Sequence, residues 1–202
     1  MLGSTSLAAD IIANYTFDGT DLSDGLGSVD ADENSVASDI SIPDSFAPEE
    51  VTISTGNGDP APSIGIKYSA VTDGDLSSAL SNDDYISIIV TPEPGYALNL
   101  TSFTWVSTRG SKGNEYSVRQ RLMSSVDGFT AESGIGYNSV FDGGEVAWGD
   151  SRNIESADLT DARFQNLQGP IEFRIYMRSH KSRSTSDYFR IDNIVIEGTT
   201  AV

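Results

Sequence analysis

Alternation of apolar and polar residues marks β-strands along this chain. The clearest strand, Ile171–Ser179, alternates apolar residues with Glu172, Arg174, Tyr176 and Arg178. Because successive side chains of a strand point to opposite faces, this pattern predicts an apolar inner face and a polar outer face. Tyr116–Ser124 alternates in the same way.

Other segments show the same preference for strands over helices. Further strands are predicted at Ile11–Phe17, near Ile40–Ile42, and at Val51–Ser54, Ser63–Tyr68, Tyr85–Thr91, Leu98–Arg109, Val146–Trp148 and Tyr188–Glu197. In Leu98–Arg109 the apolar residues change from even-numbered to odd-numbered positions between Leu100 and Phe103. This change predicts a β-bulge. Helical structure is expected only as one turn at Leu76–Leu80 and a short helix around Leu159–Phe164.

The number of short strands and the turn-rich composition together define the expected fold class. The 202 residues include 19 glycines, and no long linker divides them. Residues 11–202 are therefore predicted to form a single all-β domain, a two-sheet antiparallel β-sandwich of jelly-roll type. Residues 1–10 lack the charged and apolar regions of a signal peptide, and we expect them to be a flexible start.

Composition excludes several classes of function. The chain has no cysteine, so disulfides, thiolate metal sites and cysteine nucleophiles are excluded. No apolar run approaches about 18 residues, so no membrane-spanning helix is predicted. The net charge is −18, which makes nucleic acid a poor partner. Absence of cysteine suits an oxidising or extracellular setting without proving secretion.

The few basic residues are concentrated in the second half of the chain. Only Lys67 precedes residue 100, and the other eleven follow it. On the outer faces of their strands, Arg119 and Arg121 would lie beside Arg174, Tyr176 and Arg178 if the two strands belong to one sheet. Guanidinium groups pair bidentately with carboxylate and sulfate, so this arrangement predicts a groove for an anionic ligand. The alternative is that Glu172 and nearby acids neutralise these arginines.

Further candidates surround that groove. Its rim is predicted to include Arg109, Lys112, His180, Lys181 and Arg183. Trp148 is a candidate for an exposed sugar-binding ring, whereas the parity of Trp105 with Phe103 places it in the core.

Catalysis and metal binding also have candidate residues. A polysaccharide lyase would need a base such as Tyr176 or His180 and an arginine to neutralise a uronate carboxylate. Thirty acidic residues leave glycoside hydrolysis open, but no pair stands out. The acid-rich segments DGTDLSDG and DADEN could hold calcium, although neither fits an EF-hand loop. Solvated loops with Asx turns explain these segments equally well.

Two stretches resemble the terminal strands of jelly-roll carbohydrate-binding modules. These are NYTFDGTDL near the start and YFRIDNIVIEG near the end. The segment YISIIVTPEPGYALNLTSFTW followed by SVDGF is similar to domains in secreted proteins of polysaccharide-degrading bacteria. The resemblance implies adjacent terminal strands and a structural calcium ion near Asp18 and Asp192.

These observations lead to one leading function and two alternatives. The resemblance implies a secreted, non-catalytic carbohydrate-binding module appended to a bacterial enzyme. The arginine content, unlike that of modules for neutral glycans, favours a sulfated or uronic polysaccharide, as from marine algae. The alternatives are a jelly-roll polysaccharide lyase or hydrolase, and a cell-surface adhesion domain with a protein partner.

Overall fold

The structure is a computed structural model that describes most of the chain. It describes residues 9–19, 21–30, 32–54, 62–67, 69–71, 76–109, 117–130, 136–138, 153–180 and 188–202. The strands in these ranges are β1 (Asp10–Tyr15), β2 (Val29–Asp30), β3 (Ser35–Ala37), β4 (Val51–Ser54), β5 (Ser63–Lys67), β6 (Tyr85–Pro92), β7 (Ala97–Arg109), β8 (Ser117–Ser124), β9 (Gly136–Asn138), β10 (Asn153–Asp158), β11 (Ile171–His180) and β12 (Tyr188–Ala201). The helix α1 (Leu76–Ser81) precedes β6, and 3-10 turns occupy Pro48–Glu50, Ser125–Asp127 and Ala162–Phe164.

The strands form two antiparallel sheets. The larger sheet has the order β10-β7-β12-β1-β2, with β5 also pairing β12 and β4 pairing β5. The smaller sheet has the order β3-β6-β11-β8-β9. From β5 to β8 the chain changes sheet at each step, and it does so again from β9 to β12. The two-sheet, jelly-roll sandwich predicted from the sequence is therefore confirmed.

Apolar inner faces of the two sheets meet in one core. Phe103 of the larger sheet packs against Phe173 of the smaller sheet, with ring centroids 5.2 Å apart. Trp105 is 1% exposed, which confirms its predicted place in the core. Its indole N–H donates to Oε1 of Gln120 at 2.6 Å, and the Ser107 hydroxyl donates to the same oxygen at 2.5 Å. These bonds connect the two sheets and satisfy polar groups that would be costly to bury unpaired.

The strand predictions agree with the structure to within a few residues where alternation is strong. The predicted bulge is present on β7, because Ser102 pairs with Glu197 and Leu100 with Gly198, which leaves Thr101 without a Cα partner on β12. The prediction of a strand near Ile40–Ile42 is wrong. The structure has an isolated β-bridge there, between Ser41 and Ser87.

Helical structure is scarce in the described residues, as predicted. The helix expected around Leu159–Phe164 is a single 3-10 turn, Ala162–Phe164. The strand β10, which precedes this turn, was not predicted from the sequence. Within the part of the chain that the structure describes, no helix has the length and apolar character needed to cross a membrane.

Candidate ligand-binding face

The outer face of the smaller sheet brings the predicted arginines together. Strands β8 and β11 are antiparallel neighbours, with Arg178 opposite Arg119 and Tyr176 opposite Arg121. Residues directly opposite have Cβ atoms about 4.5–5.5 Å apart, and like charges there are destabilising. The register therefore places three arginine positions, 119, 121 and 178, on adjacent strands of a protein whose net charge is −18.

Arg174 differs from the other arginines because its charge is matched inside the protein. Its Nε donates to Oε1 of Glu172 at 2.7 Å, and its Nη1 donates to the Tyr176 hydroxyl at 3.1 Å. The guanidinium also lies 4.3 Å from the ring centroid of Tyr85 and 4.0 Å from that of Phe129. Two rings and a carboxylate thus hold Arg174 in place. The alternative that Glu172 neutralises it is correct for this arginine.

Tyr176 lies on the outer side of β11 but is covered. Its exposure is 2%, and it forms a small cluster with Met123 and with Ala79 of α1. Leu80, Tyr85 and Phe129 pack around this cluster. The open tyrosine platform expected from alternation is therefore closed in this structure, because α1 lies over the strand.

Arg121 is half-buried and differs from Arg174 in its contacts. Its Nε is buried and has no hydrogen-bond partner among the described residues. Leaving a buried donor unpaired costs about 1–3 kcal/mol, and more when the group is charged. An anionic ligand that accepts from this nitrogen would remove that penalty.

The remaining predicted residues divide into three groups. Arg178 is half-buried and is itself engaged in a contact within the protein. For Arg109, Arg119 and His180, which lie on β7, β8 and β11, the structure describes the backbone position alone. The predicted residues outside the described part of the chain are Lys112, Trp148, Lys181 and Arg183.

The pKa shifts on this face follow from burial and from the guanidinium group. Burial raises the pKa of Tyr176 and that of Tyr85, although the positive charge of Arg174 opposes both shifts. Contacts with Glu172 and Tyr176 raise the pKa of Arg174 despite its partial burial. A tyrosine base in a lyase needs a lowered pKa to act near neutral pH. The raised pKa of Tyr176 therefore gives the lyase alternative no support from this residue.

The two aspartates implied by the family resemblance do not complete a calcium site by themselves. The Asp18 carboxylate is exposed and accepts a hydrogen bond from the Thr16 hydroxyl at 2.6 Å. Asp192 is 2% exposed, and its Oδ1 accepts from the backbone N–H of Asn193 at 2.7 Å. No group of three or more acidic or histidine side chains within the described ranges could hold a metal ion. The described donors do not fit the six to eight oxygens that calcium takes.

Calcium binding thus stays a prediction, and it has a direct test. An ion that binds the native state and not the unfolded chain raises the melting temperature. If calcium is held, EDTA lowers the melting temperature and added calcium restores it, whereas added magnesium does not. Equal melting curves with EDTA and with calcium would remove the ion from the description of this protein.

Some site residues were not predicted from the sequence. Tyr85 and Phe129 enclose Arg174, and Glu172 binds it, although only Glu172 was considered as a partner. Tyr85 is the first residue of the predicted strand Tyr85–Thr91, and alternation places it on the polar face of that strand. This position was the sequence signal that could have identified Tyr85 as a site residue. A separate shallow depression of about 430 Å³ contains none of the residues predicted for the arginine groove. It is lined by Asp21, Leu22 and Ser23 of the acid-rich segment DGTDLSDG and by Val51, Thr52 and Ile53.

Comparisons with known proteins give distant structural likeness and no match in sequence. No protein-family profile matches the chain, and no curated protein matches it significantly. A family 22 carbohydrate-binding module from Clostridium thermocellum is 12% identical over 93% of this chain and 94% of its own, with a TM-score of 0.44. A xylan-binding domain of that family is also 12% identical, with the same coverage and a TM-score of 0.43. A Stig cyclase from Fischerella sp. TAU is 13% identical over 98% of this chain and 93% of its own, with a TM-score of 0.34.

Proposed function

We propose that this protein is a non-catalytic carbohydrate-binding domain that holds an anionic polysaccharide on the outer face of the smaller sheet. The observation that carries this proposal is the register of β8 and β11, which places Arg119, Arg121 and Arg178 together. Arg121 supports it further, because its buried Nε lacks a partner among the described residues. Carboxylate and sulfate groups are the natural acceptors for such nitrogens.

The ligand is a uronic or sulfated chain, with marine algal polysaccharides as the first to test. Arg174 has a supporting role in this proposal, because its guanidinium is bound by Glu172, Tyr176 and two rings. The domain acts outside the cell, attached to a catalytic domain that it holds close to the substrate.

The experiment that tests the proposal is affinity electrophoresis in gels containing one polysaccharide each. We expect alginate (a uronate chain) or carrageenan (a sulfated chain) to retard the protein, and a neutral xylan without uronic acid side groups to leave it unretarded. Raising the salt from about 0.01 M to 0.15 M shortens the Debye length from about 30 Å to 8 Å and should weaken retardation. Retardation by xylan alone, unchanged by salt, would contradict the anionic ligand.

The same experiment separates the other functions. Release of unsaturated or reducing ends from alginate or carrageenan would identify an enzyme. No retardation in any gel would favour the adhesion alternative, which predicts a protein partner instead of a glycan.

A further inference from the structure

The turn that follows β8 carries a phenylalanine with a strained backbone. The φ angle of Phe129 is +55°, in the left-handed region that bulky side chains rarely adopt. Within the described ranges, the other non-glycine residues with a positive φ are Phe17, Asp83, Asn166 and Asn193. Aspartate and asparagine tolerate this region, so the two phenylalanines are the unusual cases.

Core packing explains one of these two phenylalanines better than the other. Phe17 is 1% exposed and belongs to the main core cluster. Phe129 is only half-buried and packs against the small cluster that contains Met123 and Tyr176. A strained backbone persists only where its surroundings hold it, and such residues are common at ligand-binding sites. The strain at Phe129 therefore points to a role for its ring beyond filling the core.

Hydrogen bonds fix the turn that carries Phe129. The N–H of Phe129 donates to the Ser124 carbonyl at 3.4 Å. The N–H of Gly128 donates to the Ser125 carbonyl at 3.2 Å. The hydroxyl of Ser125 in turn accepts from the N–H of Glu172 on β11 at 3.0 Å. A ring held in this way binds a ligand at a lower cost in ordering than a ring on a loose loop.

The exposed part of the Phe129 ring lies close to Arg121. The guanidinium of Arg174 lies over one face of the ring, 4.0 Å from its centroid, so the exposed part is the other face and the edge. Arg174 pairs with Met123 on β8, and Arg121 precedes Met123 by two residues. Two residues of a strand span about 6–7 Å. Neighbouring sugars of one chain can bridge such a distance.

We infer that Phe129 is the sugar-stacking residue of the ligand-binding face. This inference rests on the proposed function and adds to it a contact that does not depend on charge. The apolar face of a sugar ring stacks on the exposed face of Phe129, and the carboxylate or sulfate of the same or the next sugar accepts from Arg121. Ligand pockets commonly combine an aromatic surface with a few polar groups in this way.

Replacing Phe129 by asparagine tests the stacking contact. Asparagine tolerates the same backbone conformation and lacks the ring, so the turn should keep its shape. In gels with whichever of alginate and carrageenan retards the unmodified protein, we expect affinity to fall by about three- to tenfold, as for loss of one aromatic contact. Because stacking carries no charge, this factor should be the same at low and at high salt, unlike the contribution of the arginines.

Two further variants serve as controls. Phe129→Tyr keeps the ring and should bind as the unmodified protein does. Val126→Asn replaces an apolar residue of the same turn that is 39% exposed, and it should also leave binding unchanged. Unchanged binding by Phe129→Asn would overturn the inference. So would a loss that becomes smaller as the salt rises, because Phe129 would then act through the arginines.

NMR titration of the unmodified protein gives a test that needs no variant. On addition of alginate or carrageenan oligosaccharides, the ring-proton signals of Phe129 should shift, and those of Phe17 in the core should not. Binding without a shift at Phe129 would overturn the inference. Absence of binding by the unmodified protein would instead contradict the proposed function.

Discussion

Replacing Arg121 by alanine should weaken binding to the anionic polysaccharide by about 10- to 100-fold while leaving the fold intact. A hydrogen bond to a charged group contributes about 1.5–3 kcal/mol, and each 1.4 kcal/mol is a factor of ten in affinity. Stability should change by less than about 1 kcal/mol, because loss of the packed side-chain stem is offset by removal of a buried Nε that has no partner within the described part of the chain. Affinity electrophoresis and urea denaturation measure the two effects separately.

Arg163→Ala is the matched control for charge. Arg163 is 41% exposed and pairs with Asp127 at 2.9 Å. Its replacement by alanine changes the net charge of the protein by the same amount as Arg121→Ala, but at a different place on the surface. The control should bind as the unmodified protein does. If both variants lose the same affinity, the ligand responds to overall charge, and Arg121 has no specific role in binding.

Arg174→Ala should have the opposite phenotype, with lower stability as its main effect. The substitution removes the bonds to Glu172 and Tyr176 and the contacts with the rings of Tyr85 and Phe129. Charge-assisted bonds and partly buried cation–π contacts of this kind together predict a loss of about 2–3 kcal/mol in the free energy of unfolding. Denaturation in urea measures the loss directly.

Arg163→Ala also controls for this prediction. Arg163 makes the same two types of contact, with an aspartate and with the ring of Phe164 at 4.9 Å, but it is more exposed. Exposed pairs contribute about 0.2–1 kcal/mol, so its removal should cost less than that of Arg174. A loss below 1 kcal/mol in Arg174→Ala, together with a tenfold loss of polyanion binding, would place Arg174 in the ligand site.

Alternation along the sequence was sufficient to predict which residues of β8 and β11 point inward. Ile171–Ser179 became β11 with one added residue, and Tyr85–Thr91 became β6 with one added residue. The short strands β2, β3 and β9 were not predicted, since two or three residues are too few to show a period.

The candidate site was predicted less completely than the fold, for a physical reason. Alternation places Tyr176 on the outer face, but it does not reveal that Ala79, about a hundred residues earlier in the chain, covers the ring. It likewise separates Arg174 from the core, but it does not distinguish an arginine bound by Glu172 from one, Arg121, whose Nε lacks a partner among the residues that the structure describes. Which side chains cover or neutralise an outward residue depends on contacts between distant segments.

The pairing of β1 with β12 has a mechanical consequence. Asp10 at the start of β1 lies opposite Gly198 near the end of β12. A force that pulls on the start of β1 and on the end of β12 therefore acts on both strands at the same end of the sandwich. A pulling force applied through both would separate their hydrogen bonds one pair at a time, like a zipper, instead of shearing the whole ladder at once. The arginine positions at the start of β8 and the end of β11 lie toward the opposite end, because β6 joins β7 through the turn at residues 93–96. Under tension, the terminal strands should therefore part at low force before the arginine-bearing end of the smaller sheet is disturbed.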